Sequence, residues 1–286
     1  MSIAISLKVN EGVILAADSA ATVTGIAPTG EVGVANIYNN ANKIINLRKE
    51  FSIGVVAYGS ASIGVVPISS IFKDLRNRFQ DPDDLWHLDK GTYTMKYVAD
   101  RVKEYIYDGL YVAQYKDWPE KPTMGFIIAG YSPREQMAEE FSFEITKDGC
   151  VGPKPIRAVN QIGVTWRAEG EAIHRLVLGY DPRLKVVLEQ GLGVPPNQLD
   201  QAMQVIRSGL TAQLISEAMP IQDAIDLAEF LVDLTVKYYR FRPSAPTVGG
   251  PIEIAAITKH EGFKWVKRKH YYSRELNPEP PNLNEP

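Results

Sequence analysis

The stretch Ser2-Ile3-Ala4-Ile5-Ser6-Leu7-Lys8-Val9-Asn10-Glu11-Gly12-Val13-Ile14-Leu15-Ala16-Ala17-Asp18-Ser19 sets how the rest of the chain is read. Ile3, Ile5 and Leu7 recur at period two, Asn10-Glu11-Gly12 makes a turn, and Val13 to Ala17 is a continuous apolar run. A hairpin leading into a buried strand is expected. Beyond it, residues 19–42 are rich in Gly, Ala, Thr and Asn and read as a long loop before a new apolar segment, Lys43-Ile44-Ile45-Asn46-Leu47. Phe51 to Ala57 repeats the strand pattern. Tyr58-Gly59-Ser60-Ala61 then marks its end and the start of a helix running to about Arg78.

Further outward, Val98, Val102, Tyr105, Ile106 and Leu110 recur at helical spacing behind a Thr94 cap, predicting a helix to Gln114. Strands are expected over 123–129, 140–145 and 151–164, the last two joined at Lys147-Asp148-Gly149. Helical periodicity covers 169–179, 199–215 and 221–238. Residues 252–257 and 263–266 flank the turn Lys259-His260-Glu261-Gly262. Strands in hairpin pairs, interleaved with helices, favour an α+β fold of two mostly antiparallel sheets packed face to face with helices outside, over a parallel doubly wound sheet. No repeat or linker divides residues 1–272, which read as one domain; the proline-rich 273–286 reads as a disordered tail.

Composition removes several classes of function. The 286 residues are 45% hydrophobic and 23% charged, ordinary for a folded domain, and a net charge of −3 supplies no field to collect nucleic acid or anionic lipid. A single cysteine, Cys150, excludes an intramolecular disulfide or thiolate-rich metal site, and His87, His174, His260 and His270 show no metal-binding spacing. No cofactor or metal is expected. With neither a long apolar run nor a signal peptide, the reading is cytoplasmic, with no membrane or nucleic-acid partner.

The opening stretch resembles the start of proteasome β-subunits, in which a nucleophile is followed by a strand, an acidic-glycine turn and a Leu-Ala-Ala-Asp-Ser segment. Asn42-Lys43-Ile44-Ile45-Asn46-Leu47 is similar to the family's lysine strand, and Val248-Gly249-Gly250-Pro251-Ile252-Glu253-Ile254-Ala255-Ala256-Ile257-Thr258 to its late glycine-glycine-proline strand. The likeness extends over about residues 2–270 and is similar to the divergent bacterial, ancestral β-subunit branch. It implies a four-layer αββα sandwich and an N-terminal-nucleophile hydrolase acting on a peptide or unfolded protein, within a homo-oligomeric ring or open ring that admits an unfoldase partner.

Under that resemblance Ser2 is the nucleophile once Met1 is removed, its own α-amino group taking the hydroxyl proton. Lys43 matches the family's active-site lysine, and Asp18 its carboxylate partner. Gly59 is the candidate oxyanion donor, although an ungapped count places Tyr58 there. The chain departs from the family pattern in having serine for threonine, and Ala245 and Val248 where a helper aspartate and serine stand. It also has Arg167-Ala168-Glu169-Gly170 at a helper-serine turn, where Glu169 is the candidate replacement. These losses also fit a catalytically weak or inactive scaffold, while an amidase for small amides would share the mechanism with an open pocket. Lys264 to Tyr272 interleaves cations and aromatics as a solvated basic strand face or, less favoured, a single-strand-binding stripe. Asp81-Pro82-Asp83-Asp84 reads as an acidic loop and Cys150 as a small strand residue.

Overall fold

In the computed structural model, which describes residues 2–26 and 32–269, β1 (Ile3–Val9) and β2 (Gly12–Ala17) form the expected hairpin, Ile5 facing Ala16 and Leu7 facing Ile14. Every residue of both strands is buried. The period-two pattern of β1 therefore separates two buried faces rather than a wet and a dry one: Ile3, Ile5, Leu7 and Val9 point one way, Ala4, Ser6 and Lys8 the other.

The chain continues through β3 (Ala21–Ile26), β4 (Val32–Tyr38), β5 (Ile44–Asn46), β6 (Ile53–Gly59), β7 (Ser62–Ile63), β8 (Val66–Pro67) and α1 (Ile68–Gln80). Next, α2 (Met95–Lys103) runs through a π-helical segment, Glu104–Tyr111, into α3 (Val112–Gln114). Then come β9 (Met124–Gly130), β10 (Glu139–Thr146), β11 (Gly149–Pro155), β12 (Gly163–Ala168), α4 (Glu171–Ile173) and α5 (Leu184–Val186). The described chain closes with α6 (Pro196–Leu210), α7 (Ile221–Phe241), β13 (Glu253–Thr258) and β14 (Gly262–Lys267). One five-stranded sheet has the order β12-β1-β2-β13-β14 and the other β11-β10-β9-β6-β5, with antiparallel neighbours. The fold is thus mixed α+β with several antiparallel sheets.

Apolar side chains gather in three clusters. Phe72, Leu75 and Phe79 of α1 and Val98 and Val102 of α2 meet Val55, Phe126 and Phe143 of the second sheet. Ala224, Ala228, Leu231 and Val232 of α7 cover Ile3, Ile5, Leu7 and Ile14 of the first. A third cluster joins Val13, Leu15 and Ala255 of the first sheet to Val56 and Ile127 of the second. Removing each of these Val, Leu, Ile or Phe side chains from water contributes roughly 1.5–3 kcal/mol, an upper bound given a compact unfolded state. The inward polar residues of β1 are also satisfied. Ser6 Oγ donates to Glu140 Oε1 at 2.6 Å, Lys8 Nζ donates to Val159 O at 2.5 Å, and Arg157 Nε lies 2.7 Å from Glu140 Oε2 as a charge contact. Burial pushes the Glu140 carboxyl up against the pull of Arg157.

Several expectations change. The long loop after Ser19 instead contains the hairpin β3–β4, whose Thr, Val and Ile residues serve as strand formers. The helix expected from Ser60 starts only at Ile68. Gly64 takes φ +56 in the β7–β8 hairpin, and Pro67 keeps the residue before it out of the helical region. The single strand expected over 151–164 is two strands in different sheets. Pro153 and Pro155 lack N–H donors, which suits β11 to the sheet edge it occupies. Thr94 caps α2 as expected, accepting from Tyr97 N at 3.1 Å. Met1, His270, Tyr271, Tyr272 and the tail 273–286 lie outside the described residues.

Candidate active site

Four distant segments converge at the start of β1. Ser2 is 1% exposed, and its carbonyl accepts from Glu169 N at 2.9 Å, just beyond β12. Its Oγ accepts from Gly59 N at 3.3 Å. Gly59 ends β6 with φ +86, a backbone state in which an added Cβ would stand 2.6 Å from Thr123 O. Of the two oxyanion candidates it is therefore Gly59 whose N–H faces the hydroxyl, while Tyr58 packs its ring between the sheets.

Asp18, fully buried, leaves β2 at the same end. Its Oδ1 accepts from Ile3 N at 3.0 Å and from Lys43 Nζ; its Oδ2 accepts from Ala20 N at 3.1 Å and Gly249 N at 3.0 Å. Backbone donors and one ammonium thus hold the carboxylate rigidly. Lys43 is 7% exposed and sits immediately before β5, anchored through its carbonyl to Ala57 N at 2.9 Å. Burial draws its ammonium pKa below the ordinary lysine value, opposed by Asp18; Lys269 adds to the lowering and Glu253 resists it. Asp18 therefore joins the Lys43 ammonium to the Ser2–Ile3 peptide through a single carboxylate oxygen.

Lys269 and Glu253 were not singled out in the sequence. Lys269 Nζ donates to Ser19 Oγ at 2.6 Å and Ala41 O at 2.5 Å, and lies 3.1 Å from the buried Glu253 carboxylate. Ser19 Oγ in turn donates to Pro251 O at 2.6 Å. Lys269 thus departs from the solvated basic face expected for its segment. A lone carboxylate in the apolar run Ile252-Glu253-Ile254-Ala255-Ala256-Ile257 was the available signal.

The other expected helpers are placed as follows. Val248 is buried in the core under α7 and Ala245 is exposed, so neither supplies a polar group. Glu169 reaches Ser2 through its amide, while its carboxylate accepts from the Tyr239 phenol, which burial and that carboxylate hold in its neutral form. Beside Gly59 and Glu169 opens a cleft of ≈430 Å³, also lined by Thr22, Val34, Thr123 and Glu144. A cavity of ≈550 Å³ beside Phe51, Tyr93 and His260 lies at the far end of the strands, since β9 runs from Met124 opposite Gly59 to Gly130 opposite Ile53. Among the described residues, no group of His, Cys, Asp and Glu is placed to hold a metal ion, and no helix is long and apolar enough to cross a membrane.

No protein-family model matches the chain, and no curated protein matches it. Its structure is similar to Anbu (ancestral beta-subunit) from Yersinia bercovieri, with 14% identity, a TM-score of 0.51, and coverage of 94% of this chain and 88% of that one. It is also similar to a Gly-1 mutant of Anbu from Hyphomicrobium sp. strain MC1, with 16% identity, a TM-score of 0.50, and coverage of 96% and 92%. At such identities the likeness is one of fold. The reading of the chain as a recognisable proteasome β-subunit-type hydrolase is corrected accordingly: its three anchors do not match a family model. They are short, and backbone demands explain much of them. Leu15-Ala16-Ala17 fills a strand buried on both faces, and Gly250 takes φ +75 with no room for a Cβ beside Asn39 O.

Proposed function

We propose that this protein hydrolyses amide bonds through Ser2, exposed as an N-terminal residue by loss of Met1. The observation that carries this reading is the convergence of Ser2 Oγ, the Gly59 N–H and the buried Asp18–Lys43 pair at one strand end. Ser2 Oγ attacks the substrate carbonyl, and its proton passes to the Ser2 α-amine, whose reference pKa of about 7.7–8.0 leaves part of it neutral near pH 7. The Gly59 amide, already beside Oγ, receives the developing oxyanion. Lys43, oriented by Asp18, stabilises negative charge nearby. The protonated amine then gives its proton to the leaving nitrogen, and water attacks the acyl-serine to release the acid and restore the hydroxyl.

The same reading takes residues 1–272 as one domain and the three apolar clusters as the interiors of a four-layer αββα sandwich. The cleft of ≈430 Å³ beside Gly59 is the substrate groove, suited to an extended peptide. Association into a homo-oligomeric ring is supported by Val65 and Leu85, which are 96% and 94% exposed on either side of α1. A cytoplasmic setting fits a chain with one thiol. A binding subunit without turnover is the second reading, favoured by Glu169 being engaged with Tyr239 and by the apolar Val248.

Fluorogenic peptide amides with varied residues before the cleaved bond test the proposal. The wild type is expected to release the fluorophore, and Ser2→Ala to reduce turnover by about 10³-fold or more. Equal turnover by Ser2→Ala would exclude Ser2 as the nucleophile. No turnover by the assembled, Met1-free wild type across the panel would favour the binding subunit.

A further inference from the structure

We propose that the cavity between the free edges of β5 and β14 binds a phosphate group, either as the free ion or as part of a nucleotide. β5 ends one sheet and β14 the other, so the gap between them is roofed by α1 rather than by another strand. The cavity measures ≈250 Å³, and Lys49, Lys73, Arg76 and Arg268 line it. Glu253 is its one lining carboxylate, 1% exposed and already 3.1 Å from Lys269 Nζ. Among the described residues none of the four lining cations has an ion-pair partner.

The two arginines are held in place before any ligand arrives. Arg76 Nε donates to Asn46 O at 2.7 Å, which fixes the guanidinium at the cavity wall and uses only one of its donors. Arg268 lies over the Trp265 ring, 4.8 Å from its centre. Burial first, and then the Arg268 charge, weaken the hold of Arg76 on its proton, so the like charges face each other at a cost. A dianion relieves that cost. Guanidinium forks match phosphate oxygens two at a time, and two ammonium groups at the rim add charge without demanding direction. A single carboxylate would leave most of this positive charge unmatched, whereas a phosphate ester carries about −1.5 to −2 near pH 7 and the free ion is partly dianionic there. The site is distinct from the Ser2 cleft, and the inference does not depend on Ser2 chemistry.

Calorimetric titration with inorganic phosphate and with adenosine diphosphate, at ionic strength matched with chloride, tests the inference on the full chain. Saturable binding of one phosphate group per chain is expected, with a matching rise in melting temperature. Arg76→Gln and Arg268→Gln should each weaken it about tenfold, and Arg268→Lys, which keeps the charge and loses the fork, should weaken it as well. Adenosine diphosphate binding more tightly than phosphate would assign the group to a nucleotide, and equal binding to the free ion. Melting curves establish that the variants fold. The proposal is overturned by absence of saturable binding at millimolar ligand, or by binding that folded Arg76→Gln and Arg268→Gln leave unchanged.

Discussion

Lys43 is a cation set among apolar neighbours, and Asp18 is what makes that position tolerable. The pairing was implied by the resemblance and not by the pattern alone, in which Lys43 only begins an apolar run and Asp18 only ends one. Lys269 and Glu253 were not legible, because they meet at the open end of the β13–β14 hairpin, beyond its last paired residues, and Lys269 follows a strand whose other lysines face solvent. The buried position has a consequence for pH. A native lysine pKa below its ordinary 10.5 means that the folded protein gives up the Lys43 proton while the unfolded chain still holds one. Stability from this group therefore rises with pH between the lowered native value and 10.5. A reaction needing the ammonium loses rate in the same window. The pH–rate profile is expected to be bell-shaped, rising as the Ser2 amine loses its proton and falling below pH 10.5. Lys43→Arg, whose guanidinium stays charged, should displace the alkaline limb upward. An alkaline limb unchanged in an active Lys43→Arg would assign it to another group.

At the scale of elements, the β1–β2, β10–β11 and β13–β14 hairpins were readable because glycine, asparagine and charged residues punctuate apolar runs, whereas the β3–β4 hairpin read as loop because its strands are rich in Gly, Ala, Thr and Asn. Two kinds of boundary were not readable either. Residues 151–164 read as one strand although Pro153 and Pro155 weaken that reading, and the two strands the stretch contributes to, β11 and β12, pair in different sheets, a separation set by tertiary packing. The late start of α1 depends on how Gly64 and Pro67 shape the short hairpin before it. The end of β6 has a sharper requirement. At Gly59, φ is +86 and a Cβ would meet Thr123 O at 2.6 Å and Met124 Cα at 2.8 Å, both backbone atoms. Gly59→Ala is expected to cost more than about 1 kcal/mol of stability from the left-handed backbone alone. By moving the N–H from Ser2 Oγ it should also lower turnover by about 10²–10³. Gly33→Ala, where an added Cβ meets nothing within 4 Å, is the comparison expected to stay near the wild type. Denaturant melts and kinetics of the two variants check this, and wild-type turnover by a folded Gly59→Ala would remove the oxyanion role.

For the whole molecule, the antiparallel α+β architecture followed from hairpin pairing and helical periodicity, and the ancestral β-subunit structures share it at 14% and 16% identity. Assembly is a separate matter, because it depends on surface and not on core. Val65 and Leu85 are apolar and almost wholly exposed. Sedimentation velocity is expected to show a species several times the mass of the chain, which aspartates at Val65 and Leu85 dissociate. A wild-type monomer at micromolar concentration would contradict the ring. The most direct test of the catalytic account is intact mass before and after a peptide epoxyketone, a reagent that requires a free amine and a hydroxyl on one residue. The account predicts a chain lacking Met1 that gains a single adduct, and a Ser2→Ala chain that gains none. A chain retaining Met1, or an assembled Met1-free chain that takes up no reagent, would contradict it.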